Sequence, residues 1–302
     1  MMSRNDLGIY IYGQIISIFI SIMVYANTKI GLDNPTSWPY ALFFIAYLIN
    51  YLTACGVIYC KKIKSNNEIP WYRYFLSGLS NFLGDFFQFL AYLKMTSYFV
   101  VLFSQLLFPK LVLIETLVLN KPSISLKKLI SFLLLIVFCF TANLIETNEK
   151  INVTFMGFFI ILLSNVGYMI NIYNQAYILN EIDIYHFIKK FSIFTMISGF
   201  FISLLYPNTI FNPLVLLEIY NNNFINLILY LITYTAFQIT TSLYIARYGA
   251  VAFNASIISY SAYFGFMLTM AHGDISKYAI VLYGLCIITD LILVSTCKTN
   301  DN

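Results

Sequence analysis

Two charged side chains, Asp85 and Lys110, lie inside long apolar stretches of the sequence. A charge at the centre of a bilayer costs roughly 2.5–3.5 kcal/mol on membrane-insertion scales, so each of them needs a compensating group. Asp85 and Lys110 could form a structural ion pair between neighbouring helices, or they could contact a solute. Asp290 is more isolated, and a structural role, an oligomer contact and a proton relay all stay open for it.

Polar side chains recur with helical periodicity in several of these apolar stretches. The clearest stripe falls within about 60° of arc on one helix and consists of Ser164, Tyr168, Asn171 and Gln175. The other stripes are Ser77, Asn81, Asp85 and Gln88; Gln14, Ser17 and Ser21; Tyr234, Gln238 and Thr241; and Ser256, Ser259, Tyr260 and Tyr263, with Asn254 and Ser261 on the opposite side. A polar group that faces lipid is costly, so each stripe should face either a cavity or another helix. Helix contacts favour small residues over Asn, Gln and Tyr, so the stripes together favour a cavity.

The sequence therefore predicts a cavity for a small-molecule solute near the middle of the membrane. The amides would hydrogen-bond the solute, the tyrosines would stack on a ring, and Asp85 with Lys110 would form a charge anchor or a gate. The candidate solute-binding residues are Gln14, Asp85, Gln88, Lys110, Tyr168, Asn171, Gln175, Gln238, Asn254, Ser256, Tyr260 and Tyr263.

The elements that must position these residues are membrane-spanning helices. Of the 302 residues, 60% are hydrophobic and only 10% are charged, which leaves too few polar groups to cover a water-soluble protein. A spanning helix needs roughly 20 apolar residues. Ten runs qualify, near 8–28, 38–60, 74–93, 97–119, 129–145, 154–179, 191–206, 224–244, 248–270 and 275–296. The predicted fold is an all-α protein with ten transmembrane helices in the lipid bilayer.

The basic residues predict the orientation of these helices. With the N-terminus in the cytoplasm, 12 of the 17 Lys and Arg residues fall on the cytoplasmic side, four fall outside and Lys110 falls within a span. Both termini are then cytoplasmic in a multi-pass protein of the plasma membrane or an endomembrane. Because the basic residues lie at helix ends, they do not indicate nucleic-acid binding. The sequence allows a homodimer without indicating one.

The two halves of the chain are faintly similar. Tyr92 and Leu93 correspond to Tyr244 and Ile245 at a shift of 152 residues, and Ser104 corresponds to Ser256. Five helices per half is an odd number, so the second half would be inserted upside down relative to the first. We therefore expect two inverted five-helix repeats, 1–150 and 151–302.

Residues typical of catalysis or metal binding are sparse. The two histidines, His186 and His272, are predicted in loops, and no paired-carboxylate, metal-ligand or nucleophile motif is present. The cysteines Cys55, Cys60, Cys139, Cys286 and Cys297 lack metal-ligand spacing and are interpreted as packing residues. Neither an enzymatic activity nor a cofactor is expected.

Several short segments are characteristic when their order along the chain is considered. They are Gly13-Gln14-Ile15-Ile16-Ser17, Gly78-Leu79, Ala91-Tyr92, Thr96, Pro109, Tyr168, Tyr177, Asn254, Ser256, Ser259 and Tyr263. In these segments the chain resembles the drug/metabolite transporters, and within them the F-type members of solute carrier family 35. The resemblance implies ten helices in two inverted halves that work by alternating access. Where the family has acidic residues, this chain has Asn81, Ser104, Gln175-Ala176 and Ser261.

The leading hypothesis is a transporter for a nucleoside-, nucleotide-, nucleobase- or sugar-related solute. The alternative is a membrane receptor or scaffold that does not transport, with a membrane enzyme third. The polar stripes count against a scaffold, which does not need a polar cavity.

Overall fold

The computed structural model describes residues 4–33, 39–64, 69–117, 125–146, 154–204, 213–272 and 277–296, which form twelve helices and no strands. The helices are α1 (Arg4–Asp33), α2 (Pro39–Lys61), α3 (Trp71–Tyr92), α4 (Ser97–Ser104), α5 (Leu107–Leu117), α6 (Leu126–Glu146), α7 (Phe155–Leu179), α8 (Ile184–Leu204), α9 (Pro213–Tyr248), α10 (Ala250–Ser256), α11 (Tyr260–His272) and α12 (Lys277–Thr296). The repeat boundary at 150–151 and the basic residues Lys121, Lys150 and Lys298 lie outside the described residues.

Seven stretches of the described helices are long and apolar enough to cross a membrane. They are Gly8–Ile30, Leu42–Lys61, Phe99–Leu117, Phe155–Leu179, Asn223–Tyr248, Ala250–Met267 and Tyr278–Ser295. Large apolar side chains also point outward from the bundle; Leu52 is 57% exposed and Ile232 is 63% exposed. Such a surface is typical of helices that face lipid.

The predicted span 97–119 is broken into α4 and α5, and Pro109 accounts for the break. Proline lacks an N–H, and in a continuous helix its ring would clash with the carbonyl of Gln105, four residues earlier. That carbonyl instead accepts from the Phe108 N–H at 3.1 Å. Pro109 is thus the third residue of a new helix, where the missing N–H has no intrahelical partner in any case.

The predicted span 248–270 is also broken, between α10 and α11 at residues 257–259. Carbonyls at the end of a helix lack intrahelical donors. Here the Ser256 carbonyl accepts from the Gln14 amide nitrogen and from the Ser17 hydroxyl of α1, both at 3.4 Å. Before α10, the chain turns at Gly249, whose φ of 83° favours glycine. Polar side chains of α1 therefore stabilise the second break.

The seventh predicted span begins earlier than expected, at Ile184 rather than 191, so His186 lies in a helix and not in a loop. The carboxylate of Asp183 accepts from the Tyr185 N–H at 2.8 Å and caps the helix. Lys190 lies within this helix although it is charged. Its ammonium lies 4.8 Å from the centre of the Tyr74 ring, which compensates the charge. His272 is the last residue of α11, so its predicted loop position is also wrong.

Four helix pairs make the main contacts: α3 with α7, α1 with α9, α6 with α12, and α2 with α8. Glycine permits close approach in the first pair, since a Cβ on Gly167 of α7 would lie 2.7 Å from the Ser80 carbonyl oxygen of α3. Glycine also permits the contact of α1 with α10, where a Cβ on Gly13 would overlap the Ser256 Cβ. These close contacts position the polar stripes of α1, α3 and α7.

Candidate functional site

A cavity lies among α1, α3, α7 and α9, next to both helix breaks. Its volume, counted as the space open to the centre of a water molecule, is about 180 Å³. One water needs roughly 10–15 Å³ of such space, so the cavity holds on the order of ten waters or a small organic solute. Aromatic side chains form much of its apolar wall: Phe43, Phe89, Tyr92, Phe108, Tyr230, Tyr234, Phe237 and Phe253.

The structure brings eight of the twelve candidate solute-binding residues to this cavity. They are Asp85, Gln88, Tyr168, Asn171, Gln175, Gln238, Asn254 and Tyr260. The other four, Gln14, Lys110, Ser256 and Tyr263, lie elsewhere.

Asp85 is the centre of a hydrogen-bond network on the cavity wall. Its carboxylate accepts from the Tyr168 hydroxyl at 2.7 Å, and from the Tyr47 hydroxyl and the Asn81 amide at 3.1 Å each. Asp85 is only partly buried, because the carboxylate borders the open space. Three donors, from α2, α3 and α7, thus converge on one carboxyl group.

Gln88 extends this network through Tyr168, whose hydroxyl lies 2.6 Å from the Gln88 amide oxygen. A hydroxyl carries one proton and can donate it to one acceptor. If the amide of Gln88 turns its nitrogen toward Tyr168, a directed chain forms in which Gln88 donates to Tyr168 and Tyr168 donates to Asp85. A solute that bonds to Gln88 would thereby affect the carboxylate.

Asn171 links the network to the packing of α3 against α7. Its amide nitrogen donates to the Asn81 oxygen at 2.8 Å, and its oxygen accepts from the Ser77 hydroxyl at 2.5 Å. Asn171 is only 5% exposed, so both ends of its amide are used within the protein. Asn171 therefore lines the cavity and also holds the two helices together.

Other polar atoms beside the cavity accept or donate nothing within the described part of the protein. They include the Asn27 amide oxygen, the Gln105 amide nitrogen and the Thr241 hydroxyl. Burying a polar group without a partner is unfavourable, so these groups call for water or a bound solute. Gln105 belongs to the break between α4 and α5, where the N–H groups of residues 105, 106 and 108 bond to carbonyls three residues earlier.

Lys110 lies apart from the cavity. Its ammonium donates to the Leu162 carbonyl of α7 at 3.4 Å. The groups that act on the Asp85 carboxyl within the described residues are Tyr168 and Tyr47, not a cation. The structure therefore does not pair Asp85 with Lys110, and it turns Lys110 away from the space a solute would occupy.

Gln14, Ser256 and Tyr263 form a second polar cluster with Ser259 and Asp290, on the far side of the break between α10 and α11. The Gln14 amide nitrogen donates to the Asp290 carboxylate at 2.7 Å, and its oxygen accepts from Ser259 and Tyr263 at 2.9 Å each. The break changes the helical phase, so Asn254 and Tyr260 reach the cavity while Ser256 and Tyr263 do not.

Sequence reasoning missed several residues of the site. Tyr47 belongs to α2, which has no polar stripe, so nothing in its sequence indicated a contact with Asp85. Tyr230 lies one helical turn before Tyr234, and its position on that stripe could have placed it on the cavity. Gln105 could be placed on the cavity only with knowledge of where the helix breaks between α4 and α5.

Beyond the cavity, at the start of α3, Arg73 joins α3 to the end of α7. Its guanidinium lies 4.5 Å from the centre of the Tyr177 ring, and its carbonyl accepts from the Asn174 amide at 2.6 Å. The cavity-lining residues of α3 run from Asn81 to Tyr92, away from Arg73. This contact therefore joins the first turn of α3 to the last turns of α7.

No protein-family model matches the sequence, and no curated protein sequence is similar to it. The fold is similar to that of several solved structures. One of these, described only as "Crystal structure of protein", has a TM-score of 0.62 and 10% sequence identity, and the match covers 95% of this chain and 98% of that one. At this identity the likeness concerns the fold alone.

Proposed function

We propose that this chain is a multi-pass membrane transporter that moves a small polar solute through the cavity around Asp85. The observation that carries the proposal is the cavity itself, in which Asp85, Tyr168 and Gln88 face open space between apolar helices. A polar cavity at membrane depth is costly unless it binds or conducts something. Two broken helices border it, as is common at the binding sites of transporters.

The proposed architecture is ten membrane spans in two inverted five-helix repeats. The ends of α4 and α10, Ser104 and Ser256, are 152 residues apart, and so are the start of α3 at Trp71 and the kink of α9 at Asn223. The helix contacts are consistent with this relation. Exchanging the halves converts the contact of α3 with α7 into that of α9 with α1, and leaves the pairs α6 with α12 and α2 with α8 unchanged.

Alternating access follows from such a pair of repeats. We assign the closure on one side to the contact of Arg73 with Asn174 and Tyr177, which lies at the end of α3 that the basic residues predict to be cytoplasmic. In the inverted half, α1 and α9 would supply the equivalent closure on the other side. Opening one closure while the other stays shut would expose the Asp85 network to each side in turn.

The charge of the cavity indicates which solutes it accepts. Among the described lining residues, Asp85 is the only one of the Asp, Glu, Lys, Arg and His types. A neutral solute rich in hydrogen-bond donors, such as a nucleobase or a sugar, or a small organic cation, suits a carboxylate among aromatic rings. A nucleotide suits it poorly, because Lys110 faces Leu162 and cannot compensate a phosphate in this arrangement.

Uptake into sealed proteoliposomes tests this proposal. Purified protein would be reconstituted and offered a library of labelled neutral, cationic and anionic metabolites, with protein-free liposomes as the control. We expect accumulation of one neutral or cationic class, lost when the vesicles are made leaky. Binding that persists in leaky vesicles, without accumulation in sealed ones, would indicate a receptor instead.

A further inference from the structure

Asp290 on α12 is a buried acid outside the solute cavity. It is 0% exposed, and its Oδ2 accepts the Gln14 amide at 2.7 Å. Its Oδ1 accepts no hydrogen bond from the described residues. An ionised carboxylate in such a place is costly without a cation.

The helices around α12 do not supply that cation. The titratable groups that face Asp290 are the Tyr10 phenol of α1, the Tyr263 phenol of α11 and the Cys286 thiol of α12 itself, which contacts the Cys139 thiol of α6. The short helix α10 has no titratable side chain. No Lys, Arg or His of the described residues acts on the Asp290 carboxyl, so a proton is the simplest group that can neutralise it.

Gln14 connects Asp290 to the break between α10 and α11. The nitrogen of its amide donates to Asp290 and to the Ser256 carbonyl, while its oxygen accepts from Ser259 and Tyr263. This arrangement suits an ionised carboxylate, which can only accept.

A neutral carboxyl carries an O–H of its own, and that O–H can donate to an amide oxygen. When the proton is on Oδ2, the oxygen that faces Gln14, the Gln14 amide must rotate by half a turn to accept from it. Its nitrogen then faces the Ser259 and Tyr263 oxygens, both of which can accept, and no longer supports the Ser256 carbonyl. The Ser256 carbonyl at the end of α10 would then accept only from the Ser17 hydroxyl.

We propose that Asp290 is a proton-binding site, separate from the solute cavity, whose occupancy determines how firmly Gln14 holds the break between α10 and α11. The proton comes from water, forms an O–H bond on Oδ2 of the carboxyl and returns to water when that bond breaks. Asn254 and Tyr260 lie on either side of the break and line the cavity, so a change at the break reaches the solute site. The link to transport rests on the proposed function, whereas proton binding and its effect on the break do not.

Two measurements on full-length protein in lipid nanodiscs test the site without any solute. The first is an infrared titration of the carboxylic-acid C=O band, in which Asp290→Asn should lose one titrating band. Glu181→Gln, the same change at an exposed turn, should keep that band. An unchanged spectrum in folded Asp290→Asn overturns the proposal. If Asp290→Asn does not fold, Asp290→Glu should shift the frequency of the band, and an unshifted band overturns the proposal equally.

The second measurement is hydrogen–deuterium exchange of residues 250–272 at several pH values, corrected for intrinsic exchange rates. Wild type should exchange faster in this segment at the low-pH end of the infrared titration, when Gln14 has released Ser256. Gln14→Met, which removes the amide and keeps Asp290, should exchange fast at every pH. Equal pH dependence in wild type and Gln14→Met would overturn the link between the proton and the break. Failure of solute uptake would leave both measurements unaffected, so the two proposals fail separately.

Discussion

The hydroxyl of Tyr168 on α7 lies 2.7 Å from Oδ1 of Asp85 on α3, and this bond joins two helices across the wall of the cavity. The two residues belong to separate polar stripes that meet because Gly84 and Gly167 bring the helices close together. A Cβ on Gly84 would lie 2.8 Å from the Tyr168 ring. The same two glycines therefore allow α3 to pack closely against α7 and place Tyr168 beside Asp85.

Tyr168→Phe tests this bond. The change keeps the ring but removes the donor, which should reduce stability by about 1–2 kcal/mol and weaken solute binding through Asp85. Uptake into proteoliposomes should show an increased KM with folded protein retained. Tyr173→Phe is the matched control, because the Tyr173 hydroxyl donates to the Leu111 carbonyl and that tyrosine does not line the cavity. Equal effects of the two variants on KM would contradict a solute role for Tyr168.

Asn171→Leu should affect folding as well as transport. The substitution leaves the Ser77 hydroxyl and the Asn81 amide oxygen without their partner, and each buried group without a partner costs about 1–3 kcal/mol. The thermal midpoint in detergent should fall. Ser77→Ala in the same protein should recover part of that loss, since one unpaired group is removed. A midpoint equal to that of wild type would show that Asn171 does not hold α3 to α7.

Gly167→Ala tests the close approach of α3 and α7. The added Cβ would meet backbone atoms, the Ser80 carbonyl oxygen at 2.7 Å and the Gly84 nitrogen at 2.9 Å, which cannot move aside without shifting the helix. A loss of about 1–3 kcal/mol of stability and a distorted cavity are expected. Gly56→Ala provides the control, because nothing lies within 4 Å of a Cβ there. Unaltered stability and uptake in Gly167→Ala would contradict the packing described.

Lys110→Met tests whether this cation contacts the solute. Because its ammonium donates to the Leu162 carbonyl and is turned away from the cavity, KM and maximal uptake should stay close to wild type, and yield of folded protein should be kept or increased. Asp85→Asn with Lys110→Met should then behave like Asp85→Asn alone. A selective loss of affinity in Lys110→Met would restore the hypothesis that Lys110 binds an anionic group.

The polar stripes of α3 and α7 could be predicted from sequence because an unbroken helix keeps its phase. Asp85, Tyr168 and Asn171 are therefore found together on one cavity. The stripe beyond Ser256 could not be assigned in the same way. The chain leaves the helix at residues 257–259, and what holds it there is Gln14, more than 240 residues earlier in the sequence.

The same limit applies to Lys110. The sequence indicates how deep Lys110 lies in the membrane but not which way its side chain points. The helical phase before the break after Ser104 cannot be used for residues that follow it. The hydrogen bond from Tyr47 to Asp85 depends on how α2 packs beside α3, so the sequence of α2 alone could not predict it.

The most direct test of the central claim is uptake by Asp85→Asn. The substitution keeps the size of the side chain and removes the one carboxyl group among the described residues that line the cavity. With the solute identified by the library, initial rates would be measured in proteoliposomes for wild type, Asp85→Asn and the exposed control Glu181→Gln, each shown to be folded. Uptake should be reduced at least tenfold in Asp85→Asn, which corresponds to about 1.4 kcal/mol of lost interaction, and unchanged in Glu181→Gln. Equal uptake by wild type and a folded Asp85→Asn protein would contradict the assignment of this cavity as the solute site.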